Sequence, residues 1–313
     1  MKIVLITGCA GFIGSNLVST LLKKKFKVIG IDNLSTGKKN NMKKFIKNKN
    51  FKFYKVDLLN IKSKNYIFKN KIEFVFHLAA NADVRFGTRN PKKDLRLNTI
   101  ATFNLLNEMK KNNIKNIIFS STGSIYGEPN KFPTTETTSF PVQTSFYGAS
   151  KLACESLIQA FCYGYDMQSW IFRFVSVLGE NYSHGHVIDF YKQLMKNNKK
   201  LNVLGDGNQL KSYIDVSDCI NGIMFGLNNS NKKVNIFNLG LNEVISVKQS
   251  IITISNFLKV SPKIIYSGGK RGWIGDSPKI LLDVKKLRNL GWKPKYNIRE
   301  SLKRTLKYLK EGE

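Results

Sequence analysis

Three glycines, Gly8, Gly11 and Gly14, follow the short apolar run Lys2–Thr7 and open the helical pattern Phe12–Lys24. A strand, a glycine-rich turn and a helix in that order constrain the fold more than any other feature of the chain. Gly8 permits the tight turn, Gly11 leaves its backbone open to a close approach, and Gly14 lets the helix pack on the strand. The helix start, Phe12 and Ile13 included, then offers unpaired N–H groups to an anion, and a dinucleotide pyrophosphate suits that geometry.

The rest of the N-terminal half continues the alternation. Phe26–Asp32, Phe51–Val56, Glu73–His77, Asn116–Ser121 and Trp170–Val175 read as strands. Pro91–Asn112 and Phe146–Tyr163 read as helices, and Lys38–Lys52 as polar surface with room for a short helix around Phe45 and Ile46. Alternating apolar strands and helices predict an α/β fold: a Rossmann-type doubly wound parallel sheet. Past residue 175 the segments shorten, with glycine turns at 205–207 and 268–269. We therefore expect a dinucleotide-binding domain over 1–175 and a smaller C-terminal α/β substrate lobe over 176–313, some of whose segments return to the first domain. The terminal helix Ile298–Lys310 carries Leu302, Leu306 and Leu309 on one face.

Asp32 ends the second strand, 18 residues after Gly14. A carboxylate there accepts hydrogen bonds from both hydroxyls of the adenosine ribose and repels a 2′-phosphate, which predicts NAD rather than NADP.

A second pair of segments carries chemistry. Tyr147 and Lys151 stand at i and i+4 near the start of a helix, so both side chains share one face. The lysine charge is expected to lower the phenol pKa and so make Tyr147 a general base toward a substrate hydroxyl. Upstream, Ser120-Ser121-Thr122-Gly123-Ser124 follows a strand and delivers small hydroxyls to the ligand-binding edge of the sheet. Thr122 can hold the same substrate oxygen.

Charge points elsewhere at first. Lys+Arg number 51 against 21 Asp+Glu, a formal net charge of +30. Yet 43 of the cations are Lys and only 8 are Arg, alongside 33 Asn. Nucleic-acid interfaces lean on arginine forks, so no nucleic-acid partner is expected. Cys9, Cys154, Cys162 and Cys219 form no C-x-x-C pair, and His77, His184 and His186 supply no third ligand nearby, so no metal is expected. No apolar run is long enough to span a membrane, and the apolar stretch before Cys9 is too short for a secretion signal. A cytoplasmic protein without a membrane partner is expected.

Together these residues resemble the extended short-chain dehydrogenase/reductase family, and within it the nucleotide-sugar epimerases and dehydratases. The resemblance covers essentially the whole chain, through Val56-Asp57-Leu58, His77-Leu78-Ala79-Ala80, Asn98, Arg173-Phe174, Gly205-Asp206-Gly207 and Ser212-Tyr213-Ile214-Asp215-Val216. It implies that Asn33, Ser35, Thr36 and Gly37 line the cofactor beyond Asp32, and that Asp57 and Leu58 contact adenine. It assigns Leu78, Ala79, Ala80, Asn98 and Ser120 to the cofactor as well, and Thr122, Tyr147 and Lys151 to catalysis, with Tyr147 and Lys151 also touching the cofactor. It also implies a homodimer through helices near 92–112 and 147–164.

In that family the opening step removes the proton of the sugar 4-hydroxyl and passes the hydride of carbon 4 to NAD, giving a 4-keto sugar. Members that go on to eliminate or decarboxylate carry an acid just after the catalytic threonine; this chain has Gly123 and Ser124. Asn81, Arg85, Thr122, Ser176, Lys211 and Arg271 are the expected substrate residues. Ser176 and Lys211 depart from the family's usual Asn and Arg, and Arg271 lies in a segment of unusual spacing. These departures argue against an ordinary UDP-glucose substrate, and the whole chain is similar to GDP-manno-heptose 4-dehydrogenases of bacterial surface (capsular) polysaccharide synthesis. A 4-dehydrogenase acting on a GDP-heptose-like sugar is therefore the first expectation. A nucleotide-sugar 4-epimerase is the alternative, and a non-catalytic dinucleotide-binding regulator a remote one.

Overall fold

A computed structural model describes residues 1–82, 84, 87–139, 142–273 and 275–312. Its centre is a seven-stranded sheet. The strands are β1 (Ile3–Thr7), β2 (Lys27–Asp32), β3 (Phe51–Lys55), β4 (Ile72–His77), β5 (Asn116–Thr122) and β6 (Gln168–Phe174). Three short strands follow, β7 (Ser176–Leu178), β8 (Lys200–Val203) and β9 (Leu210–Lys211), then β10 (Tyr213–Asp215) and β11 (Val234–Leu239). The sheet order is β11-β6-β5-β4-β1-β2-β3, and every pairing is parallel. The doubly wound topology is thus present, with its switch point between β1 and β4.

Parallel strands are covered on both faces, which is why they read as unbroken apolar runs. Val4 and Ile6 of β1 pack with Leu17, Val18 and Leu21 of helix α1 (Phe12–Lys23). Leu5, between them in sequence, points to the opposite face with Leu105, Leu106 and Met109. Those three belong to a helical run in three parts: α2 (Pro91–Asp94), a π-helical segment (Leu95–Ile100) and α3 (Ala101–Lys111). Helix α4 (Phe146–Gly164) lies on the same face.

Two features differ from the sequence-based expectation. The helix predicted over Pro91–Asn112 is broken by the π-segment, whose wider turn rotates Asn98 toward Asn81 and Ser150. And β11, a strand that the sequence pattern does not single out, adds to the sheet edge beside β6. Its polar residues hid it: Asn235 and Asn238 are buried because their side chains bond backbone carbonyls of Ser169, Thr134 and Asp283. The Lys38–Lys52 stretch holds one 3-10 turn, Lys39–Met42, and buries Met42 and Phe45 against the core.

The remaining elements build the smaller lobe. Helices α5 (His186–Lys196) and α7 (Val247–Leu258) pack on each other beside short strand pairs that include β12 (Ile245–Ser246) and β13 (Lys263–Tyr266), whereas α6 (Val216–Asn228) packs against α1 and the sheet edge at β6 and β11. After α8 (Lys285–Asn289), α9 (Ile298–Glu311) closes the lobe. It is started by a capping box between Asn297 and Glu300 and buries Ile298, Leu302 and Leu306. Among the described residues no helix is long and apolar enough to cross a membrane.

Candidate active site

A cleft of about 1110 Å³ runs along the carboxyl edge of the sheet, between the sheet and the smaller lobe. Its floor is the glycine turn. Gly8 has φ +71°, and a Cβ on Gly14 would lie 2.0 Å from the Gly8 carbonyl oxygen, so helix and turn pack as closely as glycine allows. The first turn of α1 has no side-chain cap and no acidic residue, leaving its N–H groups for an anionic ligand.

Asp32 is held at the end of β2 by the backbone. The Ala10 N–H donates to Oδ2 at 3.0 Å and the Leu34 N–H to Oδ1 at 2.7 Å. Burial pushes its carboxyl above the usual range, opposed by those two N–H donors. A cofactor ribose would meet a fixed acceptor. A Cβ on Gly37 would fall 2.8 Å from both carboxylate oxygens, so Gly37 keeps that approach open. The Leu59 N–H and the Asn33 amide hold Asp57 at 2.8 and 3.2 Å, and Leu58 lines the cleft beside it. Ser35 and Thr36 also line this end. These residues fit an adenosine with free ribose hydroxyls.

The next wall starts at the end of β4. Thr7 Oγ1 accepts from the N–H groups of Leu78 and Ala79 at 3.2 and 3.1 Å and lies 2.7 Å from His77 Nδ1. With both acceptor sites used, the threonine hydroxyl donates to the imidazole. His77 Nε2 then donates to Thr102 Oγ1 at 2.8 Å, and Thr102 donates to the Asn98 carbonyl at 2.7 Å. Burial, with the charge of Lys151, pushes His77 down to about 3 and keeps it neutral. This relay pins Leu78, Ala79 and Ala80 where they face the cleft.

The three residues expected to be catalytic lie at the ends of β5 and α4. Helix α4 is capped by Ser145, whose Oγ accepts from the Gly148 N–H at 3.0 Å, so Tyr147 sits in its first turn. Tyr147 and Thr122 share a hydrogen bond at the cleft surface. Lys151, one turn on, is buried; its ammonium donates to the Ser120 carbonyl at 2.8 Å and lies 4.5 Å from the Phe119 ring centroid. Burial pushes Lys151 down to about 8.

The expectation of a lowered phenol pKa is corrected here. Burial dominates and pushes Tyr147 above its ordinary value, and the bond from Thr122 only partly opposes it. The lysine charge is directed at the Ser120 carbonyl, so it does not offset that burial.

Two residues assigned to the cofactor lie behind the cleft wall rather than on it. Lys151 is one. Asn98 is the other: its amide donates to Ser150 Oγ at 2.8 Å and its oxygen accepts from the Asn81 N–H at 2.8 Å. Asn81 lines the cleft, but its side chain donates to Asp94 Oδ1 at 2.7 Å.

On the substrate side, Ser176 lines the cleft and is exposed. Lys211 lines it too, yet is buried, with its ammonium 2.7 Å from Asp276 Oδ1 and 2.6 Å from the Ser277 carbonyl. Arg271 does not line the cleft. It forks onto Glu128 at 2.5 and 2.8 Å and donates to the Asp276 carbonyl at 2.8 Å. Both cations thus hold Asp276, and Lys211 also Ser277, at the cleft edge. Arg85 lies outside the described residues. Sequence reasoning missed Gln209, Tyr213, Trp273 and Asp276, all of which line this side. Tyr213 holds His186 through its hydroxyl at 3.0 Å, and burial beside Lys211 pushes His186 down to about 3. His184 is exposed and bonded to Ser183 at 3.1 Å. Among the described residues no cluster of three metal-ligating side chains is present.

The comparisons agree with this geometry. A putative UDP-glucose 4-epimerase of Methanocaldococcus jannaschii is 34% identical over 99% of both chains. The crystal structure of a Thermotoga maritima UDP-glucose 4-epimerase with UDP-glucose superposes with a TM-score of 0.89 at 32% identity, covering 100% of this chain and 99% of that one. A Bacillus cereus UDP-glucuronic acid 4-epimerase with UDP-glucuronic acid and NAD gives 0.90 at 27% identity, over 100% of both chains. Residues 4–240 match the NAD dependent epimerase/dehydratase family. With a doubly wound sheet, a dinucleotide cleft and a Thr–Tyr–Lys set at its edge, the chain belongs to that family, an NAD-dependent enzyme of nucleotide-sugar carbon-4 chemistry.

Proposed function

We propose that the chain is a UDP-sugar 4-epimerase. The observation that carries this is the Thr122–Tyr147–Lys151 set followed by Gly123 and Ser124, where an eliminating or decarboxylating enzyme needs an acid. The relatives support the alternative over the first expectation: their names give UDP-glucose and UDP-glucuronate 4-epimerases.

In this reading Thr122 holds the sugar 4-oxygen and Tyr147 takes its proton. The cleft wall formed by residues 78–80 with Gly272, Trp273, Asp276 and Ser277 shields the exposed ketone from water. NAD, when bound, supplies the hydride acceptor at carbon 4 and a positive charge that lowers the phenol pKa. Returning the hydride to the other face of the ketone makes the epimer without net oxidation, so no second redox substrate is needed. Asn81, Ser176 and Lys211 face the nucleotide-sugar side, Arg271 acts by holding Asp276 and its neighbours, and Arg85, outside the described residues, is kept as a substrate residue on the resemblance alone.

We further propose a cytoplasmic homodimer. Leu95, Ile100 and Phe103 before and within α3, and Phe146 and Tyr163 on α4, are exposed apolar side chains on the helices implied for the interface. Light scattering at micromolar concentration tests it; a monomer contradicts it.

The functional test is a panel of UDP- and GDP-sugars incubated with the NAD-loaded enzyme. Epimerised UDP-sugar without NADH is the expected outcome. Net NADH from a GDP-heptose would restore the first expectation.

A further inference from the structure

Glu155 lies on α4, four residues after Lys151 and eight after Tyr147, and so shares their helix face. It is wholly buried and gripped from two strands. On β5, Ser121 Oγ donates to its Oε1 at 2.5 Å. On β6, Arg173 donates through Nε to Oε1 at 3.1 Å and through Nη2 to Oε2 at 2.8 Å. Arg173 is anchored in turn: its Nη1 donates to the Tyr126 hydroxyl at 2.7 Å and to the Glu136 carbonyl at 3.1 Å. Tyr126 donates to Asn238 on β11 at 2.8 Å.

A buried ion pair seldom adds stability over well-packed apolar residues, so stability alone is a weak reason for this one. Its location offers another. Ser121 stands between two residues that touch the catalytic side chains. The carbonyl before it, on Ser120, takes the Lys151 ammonium, and the hydroxyl after it, on Thr122, bonds Tyr147. A misplacement of about 1 Å at reacting groups costs on the order of a hundredfold in rate.

We propose that Glu155 is a positioning residue for carbon-4 oxidation: clamped by Arg173, it locks Ser121 and thereby sets the Ser120 carbonyl and the Thr122 hydroxyl against Lys151 and Tyr147. The proposal rests on the family chemistry and not on which sugar is bound. The groups that face Lys151 are Cys154 and Glu155 on its own helix and neutral His77 on β4, while Arg173 lies beyond Glu155. Burial lowers the lysine's pKa, and Cys154 and Glu155 oppose that.

Ser121→Ala is the informative variant, because it leaves the Glu155–Arg173 pair and its charge in place. The first readout needs no substrate. In the full chain one lysine Cε resonance titrates near pH 8 and is identified by its loss in Lys151→Met. In Ser121→Ala it moves down by roughly half a unit as the Ser120 carbonyl drifts from the ammonium; an unmoved titration overturns the proposal. The second readout is kinetic. Ser121→Ala lowers kcat by about tenfold or more with KM within about twofold. A lower Tm with unchanged kcat per folded site overturns it. Glu155→Gln combined with Ser121→Ala is no worse in kcat than Glu155→Gln alone, since the two act as one unit; additive losses would show that Glu155 does not work through Ser121. A wild type that turns over no nucleotide sugar would count against the proposed function, while the lysine titration would still decide this one.

Discussion

The ammonium of Lys151 donates to the carbonyl oxygen of Ser120 at 2.8 Å. That bond joins α4 to the strand that carries Thr122, and it holds a charge in a buried place. Burial lowers Lys151 from an ordinary 10.5 to about 8, so near neutral pH the folded protein bears a desolvated cation. Between about pH 8 and 10.5 the unfolded chain keeps the proton longer, and stability rises with pH across that window. Lys151→Met therefore abolishes turnover yet stabilises the ligand-free protein at pH 7 by about 2 kcal/mol. Thermal melts with and without NAD check it; a lower melting temperature for the variant would show that the lysine supports the fold.

Tyr147→Phe removes the only phenol in the catalytic set while leaving the helix and the dinucleotide cleft intact. Turnover falls by about a hundredfold to ten-thousandfold with NAD still bound. Rates near wild type would mean that the proton leaves by another group.

Asp32 presents two fixed carboxylate oxygens to the adenosine ribose. Asp32→Ala weakens NAD binding by about tenfold to a hundredfold, the loss of charge-assisted hydrogen bonds, and narrows the preference over NADP. Titration calorimetry with both dinucleotides gives the answer; equal affinity of the variant and wild type for NAD would remove Asp32 from the site.

His77 is neutral in the folded protein, with a pKa lowered from 6.5 to about 3. The unfolded chain binds the extra proton first as the pH drops. Stability from this group is fully present above about pH 6.5 and is lost progressively toward pH 3. His77→Gln, which cannot take that proton, flattens the decline. Urea denaturation at pH 7 and pH 4.5 measures the slope, and parallel slopes for variant and wild type would contradict the role.

Gln209 is 3% exposed and lines the substrate side of the cleft, and its carboxamide has no hydrogen-bond partner among the described residues. A buried unpaired amide costs about 1–3 kcal/mol. Gln209→Met stabilises the ligand-free protein by roughly that amount and raises KM for the nucleotide sugar with kcat nearly unchanged. A stability gain with KM unaltered would assign the glutamine no part in binding.

What was legible in the sequence was whatever depends on near neighbours. Gly8, Gly11 and Gly14, the aspartate closing the second strand, and Tyr147 with Lys151 each sit at a fixed short spacing, and the structure places them along one sheet edge. Long-range pairing was not legible. Nothing near Lys211 announces Asp276, 65 positions on, and nothing near Arg271 announces Glu128. Two cations expected to bind substrate therefore turn out to be partnered by carboxylates. The strand β11 was hidden because its asparagines look like loop residues until the carbonyls that bind them are known. The phenol's pKa was misjudged for the same reason: i and i+4 spacing gives a shared face but not the target of the lysine's proton.

The central claim is that carbon 4 is oxidised and then reduced again on its other face within one active site. UDP-glucose and UDP-glucuronate deuterated at carbon 4 test it most directly. The account predicts the 4-epimer of at least one of them with its deuterium retained at carbon 4 and no lasting rise in nicotinamide absorbance. Deuterium lost from the sugar to stoichiometric NADH with a 4-keto product, or no conversion of either sugar, would contradict it.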